Sequence, residues 1–290
     1  MDGRERDVEV LRQLFLLKWK EGVERKISRF LQDIREEYAF EFQHFLKSID
    51  HGLPHAANVY AKTLEILNHF SEEERSGINM ERLEVMCVFH DAGRFLVPRE
   101  FALNFAKRKR KGRILHEYAG VLLAEIFGYN HRIIREGILR HDYFNSEFDP
   151  GKKPPISLEA QIFRAADKTS VAPADEIERY DQYRRKFNFP LFKRDTPIEF
   201  RLRWNFSQKE DPRTDQLCYF FAVLALRPED FIHPVLQEYY RDWAKSKKAA
   251  VEKIIRIVKN EEEGKMQRIG DSDLVECALK IYLKAHDINI

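Results

Sequence analysis

Three largely apolar segments of the sequence run directly into a pair of ionisable side chains. They are residues 83–89, followed by His90 and Asp91, residues 138–140, followed by His141 and Asp142, and residues 160–166, followed by Asp167 and Lys168. Apolar segments belong in a protein core, where an ionisable group costs several kcal/mol unless it is paired or bound to a metal. We therefore expect the three ends to meet in one polar site within the core.

Through the first two thirds of the chain, apolar residues recur every three or four positions, which is the period of an amphipathic helix. The spacing predicts helices over residues 27–45, 59–70, 80–89, 116–127, 132–140 and 158–166. Clusters of Gly, Pro, Asn and Asp separate these stretches, and Ser157 is placed to cap the last of them. This part of the chain is predicted to form a bundle of short helices.

The pattern changes beyond about residue 185. From Ile198 to Phe206 apolar and polar residues alternate, which predicts a strand with one buried face. Residues 187–193 are the nearest candidate partner, so we expect a short β-hairpin. Helical spacing returns over residues 215–226, 231–259 and 273–286. The aromatic residues between positions 187 and 221 suit a subdomain core, a substrate pocket or a homodimer interface.

The predicted fold class is therefore mainly α. We expect an N-terminal helical segment at residues 1–49, a helical domain with the polar site at residues 50–185, and a C-terminal α+β subdomain at residues 186–290 packed on it. No window approaches the roughly 20 apolar residues that cross a bilayer, and no signal-type hydrophobic core follows Met1. These features predict a cytoplasmic protein without a membrane partner.

The charge balance restricts the substrate classes. A net charge of +2 over 290 residues argues against a dedicated nucleic-acid-binding protein. The basic run at residues 107–113 is a local exception, which is either an electropositive entrance for a phosphorylated substrate or a solvated loop. Because the run contains no aromatic residues to stack on bases, a nucleotide or other small phosphoester is a better candidate than a polymer.

The residue types at the polar ends suit a divalent metal. A neutral imidazole nitrogen and a carboxylate oxygen both ligate such ions, and a helical bundle brings together ligands that are distant in sequence. Adjacent residues of a helix point about 100° apart, so His90 and Asp91 can both reach a metal near the helix end. Since this set contains no thiolate, Fe, Mn, Co, Ni and Zn are all compatible with it.

Several short motifs follow one another in a characteristic order. They are His55 with Val59 four residues later, HDAGR at residues 90–94, HEYAG at residues 116–120, His141, and ADK at residues 166–168. Over about residues 50–175 this order resembles the HD-domain metal-dependent phosphohydrolases, whose pattern is H, HD and D within an all-helical domain. The resemblance implies a first metal held by His55, His90, Asp91 and Asp167. It also implies that Asp91 bridges to a second metal, held by His116 and His141.

Further polar residues are candidates for catalysis or substrate binding. Arg94 and Lys168 can supply cations for phosphate, although Arg94 also suits an ion pair with Glu117. Asp142 is a candidate ligand, general acid or partner that orients a histidine, and we prefer the last role. His51, four residues before the first motif, stays open between a substrate contact, a partner of a metal ligand and a helix-terminal surface residue.

The resemblance implies a phosphohydrolase that uses two divalent ions to cleave a nucleotide or other small phosphorylated molecule by metal-hydroxide attack. No GYP signature follows the third histidine, no ED follows HD, and the HD motif is not the longer one with glycine and proline. These departures argue against cleavage of cyclic dinucleotides, guanosine tetraphosphate and deoxynucleoside triphosphates. Two alternatives are a di-iron oxygenase with the same ligand set and a non-catalytic sensor in which the metal is structural.

Overall fold

The computed structural model of the chain describes residues 9–22, 47, 51–96, 114–142, 153–186, 191, 220, 223–224 and 226–263. The described residues up to 142 and from 153 to 170 belong to one compact unit, and those from 171 onward belong to a second unit. No helix within these residues is both long enough and apolar enough to cross a membrane.

The first unit is built from helices in the described residues. They are α1 (residues 9–22), α2 (Leu53–Leu67), α3 (Glu72–Ser76), α4 (Met80–Phe89), α5 (Gly93–Leu96), α6 (Ile114–Ile126), α7 (Arg132–Arg140) and α8 (Leu158–Thr169). Helix α4 is central, because it packs against α2, α6, α7 and α8. Its side chains from Val85 to Phe89 are all buried, as the sequence predicts for an apolar segment in the core.

Local sequence explains where several of these helices begin. Ser71 and Glu74 form a reciprocal capping box at the start of α3, and the side chain of Asn79 accepts a hydrogen bond from the backbone N–H of Arg82 in α4. At the start of α7, Nδ1 of His131 accepts from the backbone N–H of Ile133. These bonds satisfy backbone groups that a helix terminus otherwise leaves unpaired.

Ser157 lies where the sequence predicts a helix cap, but its side chain bonds to α7 instead. Ser157 occupies the N-cap position of α8, but its side chain makes no capping hydrogen bond to that helix. Its hydroxyl instead donates to Oε2 of Glu136 at 2.6 Å, and the backbone N–H of Ile156 donates to Oε1 of the same carboxylate at 2.8 Å. The bond to the charged acceptor on α7 orients the hydroxyl and ties the start of α8 to α7.

Two glycines allow close approaches around α6. A Cβ atom on Gly93 would lie 1.9 Å from the carbonyl oxygen of His116, and one on Gly120 would lie 2.3 Å from the carbonyl oxygen of Phe89. No side chain fits at either distance, so glycine is required where α5 and α4 meet α6. Both contacts lie next to residues of the predicted metal site.

The second unit contains α9 (Pro173–Lys186), a 3₁₀ turn (Pro228–Asp230), α10 (Pro234–Ala244) and α11 (Lys247–Glu263). Helix α9 packs against α11, and α10 packs against the 3₁₀ turn. The single helix predicted over residues 231–259 is wrong, because α10 ends at Ala244 and α11 begins at Lys247. Pro234 is the first residue of α10, a position that suits proline because its missing N–H would lack a partner within the helix.

The mainly helical fold class is confirmed, since the described residues contain helices and turns but no strand. The predicted hairpin over residues 187–193 and 198–206 finds no support, because all of it except Leu191 lies outside the described residues. The basic run at residues 107–113 and the helices predicted over residues 27–45 and 273–286 also lie outside them. The predicted domain boundaries near residues 49 and 185 stay predictions.

Candidate metal centre

The ends of five helices bring six side chains together in the first unit. His55 and His116 lie in the first turns of α2 and α6, His90 and His141 are the C-caps of α4 and α7, Asp91 follows His90, and Asp167 lies in the last turn of α8. The four histidines and Asp91 are buried, and the side chain of Asp167 is only 10% exposed. All six residues predicted as metal ligands therefore share one part of the core.

A first group of potential ligands consists of His55, His90 and Asp91, whose nitrogen and oxygen atoms lie within 4.8 Å of one another. Asp167 adjoins this group, because its Oδ1 lies 3.5 Å from Nε2 of His55 and 3.5 Å from Nε2 of His90. Oδ2 of Asp91 lies 3.5 Å from Nε2 of His90. These four side chains are the ones that the resemblance assigns to a first ion.

A second group consists of Asp91, His116 and His141, again with potential ligand atoms within 4.8 Å of one another. Oδ1 of Asp91 lies 3.6 Å from Nε2 of His116 and 3.7 Å from Nε2 of His141. Asp91 is thus common to both groups. Its Oδ1 lies near Nε2 of His116 and of His141, whereas its Oδ2 lies near Nε2 of His90.

Backbone carbonyls orient two of the imidazole rings. Nδ1 of His90 lies 2.9 Å from the carbonyl oxygen of Cys87, and Nδ1 of His141 lies 2.7 Å from that of Ile138. Each Nδ1–H therefore donates to the backbone three residues earlier, which leaves Nε2 as the nitrogen with a lone pair in the neutral ring. Both bonds arise because these histidines cap a helix whose last carbonyls lack partners within the helix.

The buried nitrogen atoms fit a divalent ion. Among the described residues, Nε2 of His90 and Nε2 of His116 are buried and have no hydrogen-bond partner. A buried polar atom without a partner is costly, and a metal ion removes the cost by accepting the lone pair. The donor set of imidazole nitrogens and carboxylate oxygens, with no thiolate, suits the transition metals that the sequence predicts.

Burial and neighbouring charges keep these groups in the protonation states that bind metal. Burial lowers the pKa of His90 to about 4, and burial together with the Arg94 guanidinium holds the pKa of His116 well below its ordinary value. Burial alone would raise the pKa of Asp91, but Arg94 and His51 outweigh it and hold that pKa well below its usual range. Near neutral pH, the two imidazoles are neutral and the carboxylate is charged.

The other two ligand candidates feel opposing effects. Burial would lower the pKa of His141, but the Asp91 carboxylate outweighs it and raises that pKa above the ordinary value. Burial would raise the pKa of Asp167, but Lys168 and His55 outweigh it and hold that pKa well below its usual range. The aspartate is therefore charged, and the surroundings of His141 favour its protonated form, in contrast to those of His90 and His116.

Four further predicted residues lie beside these ligand candidates. Nζ of Lys168 lies 3.2 Å from Oδ2 of Asp167 and 3.9 Å from Oδ1 of Asp142, so it joins the end of α8 to the buried Asp142. Nε of Arg94 donates to Oδ1 of Asp91 at 2.6 Å. His51 lies in the turn before α2, and its Nδ1 lies 2.7 Å from Oδ2 of Asp91.

The bond between His51 and Asp91 was not specified by the sequence analysis, which left three roles open for His51. The sequence gives one signal, namely the spacing of four residues between His51 and His55, which puts both near the start of one helix. The family resemblance places His55, at the start of α2, near His90 and Asp91, at the end of α4, but it assigns no partner to His51. That juxtaposition depends on the packing of α2 against α4.

A model of the HD domain family matches residues 55–172. This part of the chain is an HD domain. The match extends from the first to the last of the predicted ligands, His55 and Asp167, and the predicted resemblance is confirmed. Most HD domains are metal-dependent hydrolases and bind divalent metals, and the buried histidines and aspartates of this HD domain could hold such an ion. Neither a curated protein nor a solved structure matches the chain.

Proposed function

We propose that the HD domain is a phosphohydrolase with two divalent ions, which cleaves a phosphomonoester or phosphoanhydride bond of a nucleotide or other small phosphorylated molecule. One observation carries the proposal: Asp91 offers Oδ1 to His116 and His141 and Oδ2 to the group of His90. A carboxylate shared in this way is suited to bridge two ions.

The proposed ligands follow the two groups. His55, His90, Asp91 and Asp167 would hold the first ion, and Asp91, His116 and His141 would hold the second. Two ligands at about 2.1 Å from a tetrahedral ion lie roughly 3.4 Å apart, which is close to the separations between these atoms. Iron, manganese, cobalt, nickel and zinc all suit these nitrogen and oxygen donors.

Two bound ions would supply charge to polarise a phosphoryl group and would lower the pKa of a water molecule between them. The chain itself contributes two cations beside the ligands, Arg94 and Lys168. Arg94 uses its Nε–H for Asp91, and a guanidinium carries four further N–H donors that suit phosphate oxygens. We assign phosphate contacts to Arg94 and Lys168, which would also stabilise charge in the transition state.

Asp142 is proposed to orient Lys168. Two carboxylate oxygens lie near Nζ of Lys168, namely Oδ2 of Asp167 and, slightly farther away, Oδ1 of Asp142. A side chain held between two carboxylates loses rotational freedom before the substrate arrives, which favours binding. Asp142 is also buried beside His141, so a role in orienting that histidine is compatible with the same position.

A phosphate-release assay tests this function. The protein would be purified without oxygen, loaded with Mn, Fe, Co, Ni or Zn, and tested on nucleotides and phosphomonoesters, with Asp91→Asn as the inactive control. We expect metal-dependent release from wild-type protein and a loss of at least about 100-fold in the variant, since charge stabilisation is a large part of such catalysis. Substrate-dependent oxygen uptake without phosphate release would replace the proposal with the oxygenase alternative.

Turnover of neither kind by the metal-loaded protein would favour a non-catalytic sensor. The same substrate panel ranks nucleotides against other phosphoesters. The cytoplasmic location and the homodimer stay predictions.

A further inference from the structure

The Asp91 carboxylate receives a short hydrogen bond on each of its two oxygens. Nδ1 of His51 lies 2.7 Å from Oδ2, and Nε of Arg94 lies 2.6 Å from Oδ1. An ionised carboxylate can only accept hydrogen bonds, so Nδ1 of His51 carries the proton in this contact. The two donors come from separate elements, since His51 precedes α2 and Arg94 lies in α5.

The lone-pair sites of the Asp91 carboxylate can be divided between two hydrogen-bond donors and two groups of histidines. An ionised carboxylate has about four lone-pair sites, two on each oxygen. On Oδ1, one site serves Arg94 and the other faces the histidine pair His116 and His141. On Oδ2, one site serves His51 and the other faces His90.

The histidine nitrogens lie farther from the carboxylate than the two donors do. The separations from Asp91 oxygens to Nε2 of His90, His116 and His141 are 3.5, 3.6 and 3.7 Å. These distances are too long for good N–H···O hydrogen bonds, whereas they are near the spacing of two ligands on a common ion. Each oxygen of Asp91 therefore makes a short contact with a hydrogen-bond donor and a longer contact with a histidine nitrogen, whose length suits two ligands of one ion.

We infer that His51 and Arg94 are positioning residues that hold the Asp91 carboxylate in the rotation in which each oxygen serves a different ion. The inference rests on the proposed two-ion site and adds a role for residues outside its ligand set. His51 also precedes residues 55–172, which the family model matches.

The carboxylate needs such a restraint because rotation about the terminal bond of an aspartate side chain has a broad, shallow energy profile. A freely rotating carboxylate can give both oxygens to one ion, and the second ion then keeps only His116 and His141. Two donors on opposite oxygens oppose that rotation. Removal of either donor is therefore expected to weaken the second ion more than the first, which retains His55, His90 and Asp167.

A titration with Mn²⁺, followed by electron paramagnetic resonance, tests the inference on full-length protein. Two Mn²⁺ ions joined by a carboxylate give a magnetically coupled signal, whereas separate ions give isolated signals. We expect His51→Ala to lower the affinity for the second Mn²⁺ by about 10–100-fold and to weaken the coupled signal. His51→Asn places an amide N–H near the position of Nδ1, so it should restore most of both.

Arg94 is tested in the same titration. Arg94→Ala should also lower the affinity for the second ion, by a similar factor of about 10–100. Arg94→Lys keeps the charge but loses the planar fork, so it should restore less than His51→Asn does. Because this variant retains a long, charged side chain, it provides a test if Arg94→Ala does not fold.

His69→Ala is the matched control. His69 follows α2 by two residues, as His51 precedes it by two, and it is an exposed histidine at the opposite end of the same helix. The control should leave both Mn²⁺ affinities and the coupled signal unchanged.

Two results would overturn the inference, and they differ from each other. If wild-type protein binds two coupled ions, and His51→Ala and Arg94→Ala bind them equally well, the positioning role is wrong while the two-ion site stands. If wild-type protein never binds a coupled pair, the two-ion site itself is wrong, and the positioning role falls with it.

Discussion

Gly93 contacts the backbone of His116 so closely that a Cβ atom on the glycine would lie 1.9 Å from the His116 carbonyl oxygen. Gly93 begins α5, two residues after the central carboxylate of Asp91, and His116 lies in the first turn of α6. The contact therefore fixes the distance between two parts of the candidate metal centre. The atom that an added Cβ would meet belongs to the backbone of His116, so it cannot rotate away as a flexible side chain can.

Gly93→Ala is expected to displace α5 from α6 and with it His116. We predict a loss of about 1–3 kcal/mol in the free energy of unfolding, as for overpacked sites, and weaker binding of the second metal ion. Urea unfolding and metal titration measure the two effects. Gly77→Ala is the control, because the nearest atom to its added Cβ is 3.7 Å away, and its unfolding free energy should stay within about 0.5 kcal/mol of wild type.

Trp19 on α1 is expected to stabilise the first unit, although α1 lies outside the residues matched by the family model. Its ring packs edge-on against Phe89 at 5.8 Å between centroids and also contacts Tyr129. Trp19→Ala should lower the free energy of unfolding by about 3–5 kcal/mol, because it removes a large buried side chain. Unfolding in urea, followed by circular dichroism, gives the value.

The control for Trp19→Ala is Leu17→Ala on the same helix. Leu17 is 56% exposed, so its truncation should change the unfolding free energy by no more than about 0.5 kcal/mol. Equal effects of the two substitutions would contradict the packing of α1 through Trp19.

Local signals in the sequence predicted where three of the polar side chains lie, whereas their role as metal ligands stays a prediction. His90, His141 and Asp167 stand where an apolar helical segment ends, and each appears at the end of α4, α7 or α8 as expected. Ser157 stands at the N-cap position of α8 as predicted, but its hydroxyl donates to Glu136 on α7, a tertiary contact that no local pattern reveals. The partner of His51 was not predicted, because the family pattern begins at His55 and no local pattern links His51 to Asp91, forty residues away.

The helix break at residues 245–246 has a different cause. Apolar spacing continues across the break, so periodicity alone predicted one helix over residues 231–259. In the structure Lys247 is buried, and its ammonium donates to the carbonyl oxygen of Leu224 at 2.9 Å and to that of Leu226. The break therefore lies just before Lys247, the first residue of α11, which makes a tertiary contact. Hydrophobic periodicity carries no information about such contacts.

Lys247 gives a prediction for the pH dependence of stability. Burial lowers its pKa from 10.5 to about 7 in the folded protein. Between pH 7 and 10.5 the unfolded chain therefore binds more protons at this residue, so this lysine makes the folded state more stable as the pH rises. Relative to Lys247→Met, wild-type protein should gain at most about 1.4 kcal/mol of unfolding free energy per pH unit in this window.

Denaturant unfolding at several pH values between 7 and 10 measures that difference. Lys245→Met is the control, because Lys245 is 78% exposed and lies in the turn just before Lys247. Its unfolding free energy relative to wild type should be nearly constant over the window. A pH-independent difference between wild type and Lys247→Met would show that Lys247 keeps an ordinary pKa.

The two ligand groups predict different effects of removing single histidines. His141→Ala should mainly weaken the second ion, because Nε2 of His141 faces Oδ1 of Asp91. His55→Ala should mainly weaken the first ion, because Nε2 of His55 faces Asp167. Calorimetric titration with a divalent ion should resolve two binding events, with a different one reduced in each variant. Loss of the same event in both variants would contradict the separation into two groups.

The central claim is that one carboxylate, Asp91, holds two ions, and metal analysis of anaerobically purified wild-type and Asp91→Ala protein tests it most directly. We predict about two divalent ions per chain in wild-type protein and almost none in the variant, because both groups lose the ligand they share. Circular dichroism should show that the variant remains folded. A folded Asp91→Ala variant with the full metal content of wild-type protein would contradict the claim.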